Sequence, residues 1–405
     1  MKGLFQRVEP TRYCRGADAK ALRRSGKRFP LSDREKEFQI IPVHVALHLR
    51  KAHCRKQGST KGAESRIYEK TTGNRDMPQS IAAIRYAEFG GPEVLSFESD
   101  SLADPGNGEI QIRHSAIGFN YIDIYHRKGV FGPKLSLPAT PGIEGVGEVT
   151  AIGAGVAGFA VGDRVAYVGG PPGAYATHRN LPAARTLHLL DGLDDTLVAA
   201  SLMKGLTAEY LTHRCVSLRP GDTVLLHAAA GGVGSFASQW LKALGVTVIG
   251  TVSTEEKAQY ARARGCDHVV LYTRDDFRDE VRRLTDGKGV RVVYDSVGAE
   301  TFERSLDCLQ PRGTLVSFGE SSGPVDPVNV STLGAKGSLF LTRPSIAHYT
   351  ADRREFETAA DRLFAAIRDG LLTVDQPRCY PLSDAAEAHA DVEARRTMGA
   401  VVLLP

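Results

Sequence analysis

Residues 222–257, DTVLLHAAAGGVGSFASQWLKALGVTVIGTVSTEEK, restrict the fold more than any other stretch. Thr223 to His227 is an apolar run of strand length, and Ala228 to Gly234 is a turn of small residues. Val233 to Leu244 carries apolar residues at helical spacing, and Val246 to Val252 reads as a second buried strand. Strand, turn, helix and strand in this order make the first βαβ unit of a dinucleotide fold. The turn lets a pyrophosphate approach bare backbone at a helix N-terminus, where unpaired N–H groups and the helix dipole favour an anion. The loop departs from G-x-G-x-x-G: Ala229 stands in the first glycine place, with Gly231 and Gly234 in the other two. A glycine turn in an unrelated α/β protein is the competing reading, and the order of the flanking elements weighs against it.

Downstream the βα pattern repeats. Helices are expected at 254–264, 275–285 and 299–309, and strands at 268–271, 291–295, 314–318 and 337–342. Six strands with intervening helices predict an α/β doubly wound parallel sheet. Upstream, from Ile81, short alternating runs such as EIQIRHSAIGFN, GIEGVGEVTAIGAG and DRVAYVGG are bounded by Gly, Pro or Asn, and they predict a barrel-like β domain. Leu193 to Cys215 is helical by pattern and leads into the nucleotide domain. Two amphipathic helices (Asp352 to Ile367, Ser383 to Arg396) precede a terminal strand, GAVVLLP. That strand needs a partner, and the β domain is its natural host. The expected organisation is a basic extension at 1–76, the first part of the β domain at 77–204, the nucleotide domain at 205–344 and a return to the β domain at 345–405.

The net charge of +4 hides a split: residues 1–76 hold 19 Lys+Arg against 8 Asp+Glu, net +11, and the rest of the chain is net −7. Such asymmetry marks an appended segment. Residues 1–76 lack the apolar region of a secretory signal. They read as a disordered basic arm, an organelle presequence, or residues from an upstream start codon. Met77 before the first regular strand favours the third reading, and the acidic cluster Asp33, Glu35, Glu37 weakens the second. No apolar run reaches the roughly 18–20 residues of a membrane span. The six cysteines, at 14, 54, 215, 266, 308 and 379, make neither a disulfide framework nor a metal cluster and fit a reducing, cytoplasmic setting. The basic front segment lacks interleaved aromatics and the body is acidic, which argues against a nucleic-acid partner.

Nine stretches carry a family resemblance: GGPEVL at 90–95, AIGFNYID at 116–123, PGIEGVGEV at 141–149, KGLTAEYL at 204–211, HAAAGGVG at 227–234, VVYDSVG at 292–298, ERSLDCL at 303–309, VSFGESSG at 316–323 and LTRPS at 341–345. In order and spacing, the chain from about 78 to 405 resembles the medium-chain dehydrogenase/reductase superfamily, and within it the zinc-independent NADPH:quinone oxidoreductases of the zeta-crystallin-like group. The resemblance implies a Rossmann sheet inserted in a GroES-like β-barrel domain, a cleft between them and a homodimer. It places the cofactor against Tyr121, Ile122, Tyr125, Tyr210, Gly231, Gly232, Val233 and Gly234. It further implies contacts from Ser296, Phe318, Gly319, Ser321, Thr342 and Arg343, from Tyr272 beside the adenosine, and from Arg395, where the neighbouring Arg396 leaves the register open.

The residues themselves select the cofactor. An NAD site places an Asp or Glu at the end of the second strand to bind the ribose hydroxyls. Here that strand ends Thr251, Val252, Ser253. Ser253 and Lys257, one helical turn apart, suit a 2′-phosphate and point to NADPH. Ser253 also reads as the cap of a capping box with Glu256, and Glu255 and Glu256 count against a phosphate.

Zinc-dependent relatives in the superfamily use a Cys and a His-Glu pair; the corresponding positions here are Asn120, Ile143 and Glu144. One carboxylate does not make a catalytic zinc site, so no metal is expected. A quinone accepts hydride without a Lewis acid, which makes a small quinone the expected substrate. An enone or alkenal C=C bond is the alternative acceptor, and a non-catalytic NADPH-binding or RNA-binding protein is the alternative of another class. Asn120 and Tyr125 are expected to position acceptor or nicotinamide, Asp123 to orient its surroundings, and Arg343 to pair with a phosphate or a substrate oxygen. Phe131 stands where close relatives carry a tyrosine.

Overall fold

The computed structural model describes residues 79–130, 135–189 and 192–405; the expectations for residues 1–76 and for Phe131 fall outside them. The chain opens with β1 (Gln79–Arg85), paired antiparallel with β2 (Ser96–Leu102). Next come β3 (Glu109–Gly118), α1 (Tyr121–Lys128), β4 (Glu144–Ile152), β5 (Arg164–Val168), β6 (His178–Pro182) and β7 (Thr186–His188). In β3 the alternation read from the sequence holds from Ile112 to Ala116, where Ile112, His114 and Ala116 are buried and Arg113 and Ser115 face solvent, but Gln111 and Ile117 are buried as well because both faces of the strand are covered at its ends.

α2 (Asp195–Tyr210) starts where the Asp194 carboxylate accepts from the N–H groups of Thr196 and Leu197. Most of its circumference is buried, because it packs between β3 and β4 on one side and the second sheet's helices on the other. The expected single helix to Cys215 instead widens into a π-turn at Leu211–Cys215, where the Thr212 hydroxyl bonds back to Ala208 O at 2.8 Å.

Then the nucleotide sheet unrolls: β8 (Thr223–Leu226), α3 (Gly232–Ala243), β9 (Thr247–Val252), α4 (Glu255–Ala263), β10 (His268–Leu271), α5 (Phe277–Leu284), β11 (Val290–Asp295), α6 (Phe302–Asp307), β12 (Leu309–Ser317), α7 (Val330–Ala335) and β13 (Phe340–Thr342). The six strands are parallel, in spatial order β10-β9-β8-β11-β12-β13. Both faces are apolar. Val224, Leu226, Val248, Val292 and Val316 pack toward α2 and α3, while Leu225, Ile249, Val293 and Leu315 pack toward α5 and α6. The expected helix to 309 is shorter, since Pro311 cannot continue it and the chain is already in β12 at Leu309.

The chain returns through α8 (Ile346–Tyr349), α9 (Arg353–Arg368), β14 (Arg378–Pro381) and α10 (Ala385–Glu393) to β15 (Val401–Leu404). β15 pairs antiparallel with β3, Leu403 opposite Ile117, so the end of the chain completes the first sheet. That sheet runs β14-β15-β3-β4-β5-β7, with β6 also on β3. The order of the parallel sheet reverses between β8 and β11, and a crevice opens at such a point beyond the strands' carboxyl ends. Among the described residues, no helix is long and apolar enough to cross a membrane.

Candidate active site

A cleft of about 610 Å³ lies at that switch point. Its floor is the turn from β8 into α3. Ala228 adopts φ 52°, and its carbonyl accepts the Gly231 N–H at 2.8 Å. α3 begins without a side-chain cap, leaving its first N–H groups for a ligand. A Cβ at Gly234 would overlap the Ala228 carbonyl oxygen and sit 2.9 Å from Ala229 Cα; one at Gly232 would sit 2.7 Å from Lys204 Cδ. Bare backbone at these positions is therefore what makes the cradle. Gly231, Gly232, Val233 and Gly234 all line the cleft, and the N-terminus of a twelve-residue helix suits a pyrophosphate.

At one end of the cleft lie Ser253, Lys257, Tyr272 and Arg395. The expected cap at Ser253 is corrected by the structure. β9 runs extended through Val252, and the Ser253 carbonyl accepts from the Thr273 hydroxyl. α4 therefore starts one residue later, with the Thr254 hydroxyl accepting from Lys257 N–H. Ser253 is thus not spent as the cap. Arg395 reaches the Tyr272 hydroxyl at 3.3 Å, and Lys257 Nζ reaches the Arg395 carbonyl at 3.5 Å. Arg396 borders the same recess but is paired with Asp391 at 2.6 Å, and of the two arginines Arg395 is the one that also lines the main cleft. Partial burial, and then the Arg395 charge, lower the Lys257 pKa. Lys257, Arg395 and Arg396 border a common recess, which suits an anionic group, and Glu256 on its rim is the opposing charge.

Ser296, Phe318, Gly319, Ser321 and Arg343 line the wall formed by the ends of β11, β12 and β13. Thr342, the last residue of β13, is not part of the lining, which begins at Arg343. Arg343 donates to the carbonyls of Ser317 and Gly319, both at 3.2 Å, and pairs with Glu320 at 3.1 Å. It therefore shapes the loop after β12 as well as facing the cleft.

The opposite wall comes from α1 and α2. Asn120, Tyr121, Ile122, Tyr125 and Tyr210 line it. The Tyr125 hydroxyl accepts the Glu320 N–H at 3.0 Å, which ties α1 to the loop of the other sheet. Burial pushes the Tyr125 pKa up to about 12, so it acts as a neutral hydrogen-bonding group. Asp123 lies fully buried behind this wall rather than in it, and accepts from Asn120 N–H at 2.9 Å and the Tyr175 hydroxyl at 3.0 Å. Burial, partly offset by those bonds, raises its pKa to about 7.

Sequence reasoning left out Lys204. It is buried, lines the cleft, and donates to Phe119 O at 2.9 Å and Asn120 Oδ1 at 3.2 Å. Asn120 Nδ2 in turn donates to Glu144 Oε2 at 2.7 Å, and Glu144 Oε1 accepts from Met203 N–H at 2.7 Å. Its one signal in the sequence was a lysine inside the otherwise small and apolar run SLMKGLTA.

A parallel sheet ordered 3-2-1-4-5-6 within a chain that closes an antiparallel β domain, with a cleft at the switch point, defines a dinucleotide-binding protein of the Rossmann class. Comparison with known proteins narrows this. Residues 106–214 match the alcohol dehydrogenase GroES-like domain, and residues 232–365 match the zinc-binding dehydrogenase domain. The chain is 49% identical to a quinone oxidoreductase of Pseudomonas aeruginosa over 80% of its own length and 99% of that protein. It is 45% identical to a 2-haloacrylate reductase of Burkholderia, with the same shares covered. The crystal structure of an Escherichia coli quinone oxidoreductase complexed with NADPH superposes with a TM-score of 0.78 at 45% identity, over 80% of this chain and all of that one. The chain belongs to the quinone oxidoreductase family of the medium-chain dehydrogenase/reductase superfamily.

The zinc named by the second domain model does not fit these residues. Glu144 is already bonded to Asn120 and Met203. Among the described residues no three His, Cys, Asp or Glu side chains gather as ligands.

Proposed function

We propose that this protein reduces small quinones with NADPH in the cleft between its two sheets. The observation that carries the reading is the recess at the end of β9, where Ser253, Lys257 and Arg395 stand and no acid terminates the strand. These residues would hold the 2′-phosphate, the glycine turn the pyrophosphate, and Tyr272 the adenosine. Ser296, Phe318, Gly319 and Ser321 would line the nicotinamide end, with Tyr121, Ile122, Tyr125 and Tyr210 across the cleft.

When bound, NADPH supplies hydride from its nicotinamide C4. The protein's part is positioning. Tyr125 bridges α1 to Glu320 at the cleft wall, Arg343 holds the 317–320 loop in shape, and Asp123 fixes the start of α1 through the Asn120 N–H and the Tyr175 hydroxyl. Asn120 sets the polar corner at which an acceptor oxygen would rest.

A second reading, reduction of activated C=C bonds, is supported by the likeness to a 2-haloacrylate reductase. NADPH oxidation measured with 1,4-benzoquinone and with a simple enone separates the two: quinone-dependent turnover supports the first reading, and enone turnover without quinone turnover replaces it. We further propose a cytoplasmic homodimer. The edge strand β13 supports the dimer, since it exposes Phe340 and Leu341 on a side with no strand partner among the described residues.

A further inference from the structure

The Asn120 carboxamide is held at both ends. A carboxylate only accepts and an ammonium only donates, so Glu144 on Nδ2 and Lys204 on Oδ1 fix its orientation and engage it inside the protein. Lys204 is differently placed. Its stem lies along Gly232 of the pyrophosphate turn, and its ammonium reaches Asn120 at the cleft wall. Two of its three N–H bonds are taken, by Phe119 O and Asn120 Oδ1.

We propose that the Lys204 ammonium, rather than the Asn120 amide, donates the hydrogen bond to the acceptor oxygen and stabilises the negative charge that builds there as hydride arrives. The proposal rests on the quinone-reductase reading. The groups around the ammonium fit the task. Glu144 from β4 and Asp123 from α1 are the buried acids that act on it through their charge, while the hydrogen bonds of its ammonium go to the neutral oxygens of Phe119 and Asn120. Burial lowers the Lys204 pKa, and Glu144 and Asp123 offset this only in part. An ammonium at a water-poor wall is worth more to an oxyanion than one in solvent. Asn120 then serves as a positioning residue: its amide, clamped by Glu144, aims the ammonium.

The test uses the full chain with NADP⁺ bound and 4-nitrophenol as an oxyanion probe, because the absorbance of the bound probe reports its ionisation without turnover. The wild-type complex is expected to bind the phenolate more tightly than Lys204→Gln does, by about tenfold or more, and to lower the probe's pKa by about one unit. Lys204→Gln is expected to lower kcat/KM for 1,4-benzoquinone by about 10²–10³-fold, with the NADPH Kd from fluorescence titration held within about threefold. Lys204→Met combined with Glu144→Gln relieves the buried acid left by a single substitution and should behave alike. Equal phenolate binding and ionisation by wild type and Lys204→Gln overturns the proposal, as does loss of the shift in Asn120→Ala with retention in Lys204→Gln. A wild type that shifts the phenol but oxidises no NADPH with quinones would sink the reductase reading and leave the Lys204 site standing.

Discussion

Gly234→Ala tests whether the turn at 228–234 is the cofactor cradle. The added methyl would lie 2.9 Å from Ala229 Cα and the Ala229 carbonyl carbon, and would overlap Ala228 O, against an ordinary contact distance of at least 3.4 Å. All three neighbours are backbone, so the turn must move by several tenths of an ångström or more. That motion pulls at the 2.8 Å bond from Gly231 N–H to Ala228 O, in a turn whose Ala228 already sits at φ 52°. Overpacking of this kind costs about 1–3 kcal/mol. With an unfolding entropy of roughly 2.1 cal/mol/K per residue, a folded body of about the size of the described residues would lose about 1–4 °C of Tm. The same shift displaces the N–H groups at the start of α3, and losing about 1.4 kcal/mol of their contact with pyrophosphate raises the NADPH Kd about tenfold. Gly334→Ala is the control, since a methyl there meets nothing within 4 Å. Calorimetry and NADPH fluorescence titration read both effects. Wild-type Kd and Tm in Gly234→Ala would refute the reasoning.

Lys257→Ala should lower the NADPH-over-NADH ratio of kcat/KM by about tenfold, and Ser253→Asp should lower it further by placing a carboxylate against the 2′-phosphate; an unchanged ratio in both removes the recess from cofactor choice. Tyr125→Phe leaves the Glu320 N–H without its acceptor and should cost about 1–2 kcal/mol of stability together with quinone kcat, whereas unaltered kcat, KM and Tm would take Tyr125 out of the site. Asp123 titrates near 3.8 when unfolded and at about 7 when folded, so it contributes stability below about pH 4 that is lost as pH rises to 7; Tm of Asp123→Asn relative to wild type should therefore improve from pH 4 to 7 and level off above, and a flat difference contradicts the burial effect. Phe340→Lys on the exposed edge of β13 should shift sedimentation from dimer to monomer, and a wild type that already sediments as a monomer contradicts the proposed assembly.

The parallel sheet was legible because its signal is local: most of its strands carry a short apolar run, and the helices between carry their own periodicity. The return of β15 to β3 was legible from a simpler need, an apolar terminal strand that must be paired. The cap of α4 was off by one residue, since Ser253 and Thr254 offer the same hydroxyl and only the length of β9 decides between them. The polar wall was the least readable part. Lys204 meets Asn120 across 84 residues of chain, and Glu144 meets it across 24. No spacing rule joins three residues on separate elements. Arg343 illustrates the same limit: its place at the cleft could be read from the LTRPS stretch, but its hold on Ser317, Gly319 and Glu320 depends on how the loop after β12 folds back.

Steady-state oxidation of NADPH and of NADH by the full chain, with 1,4-benzoquinone as the varied acceptor and a metal chelator present throughout, tests the central claim most directly. The account expects quinone-dependent turnover that survives the chelator and prefers NADPH by about tenfold or more in kcat/KM. Absence of quinone-dependent oxidation, loss of activity in chelator, or equal use of NADH would contradict it.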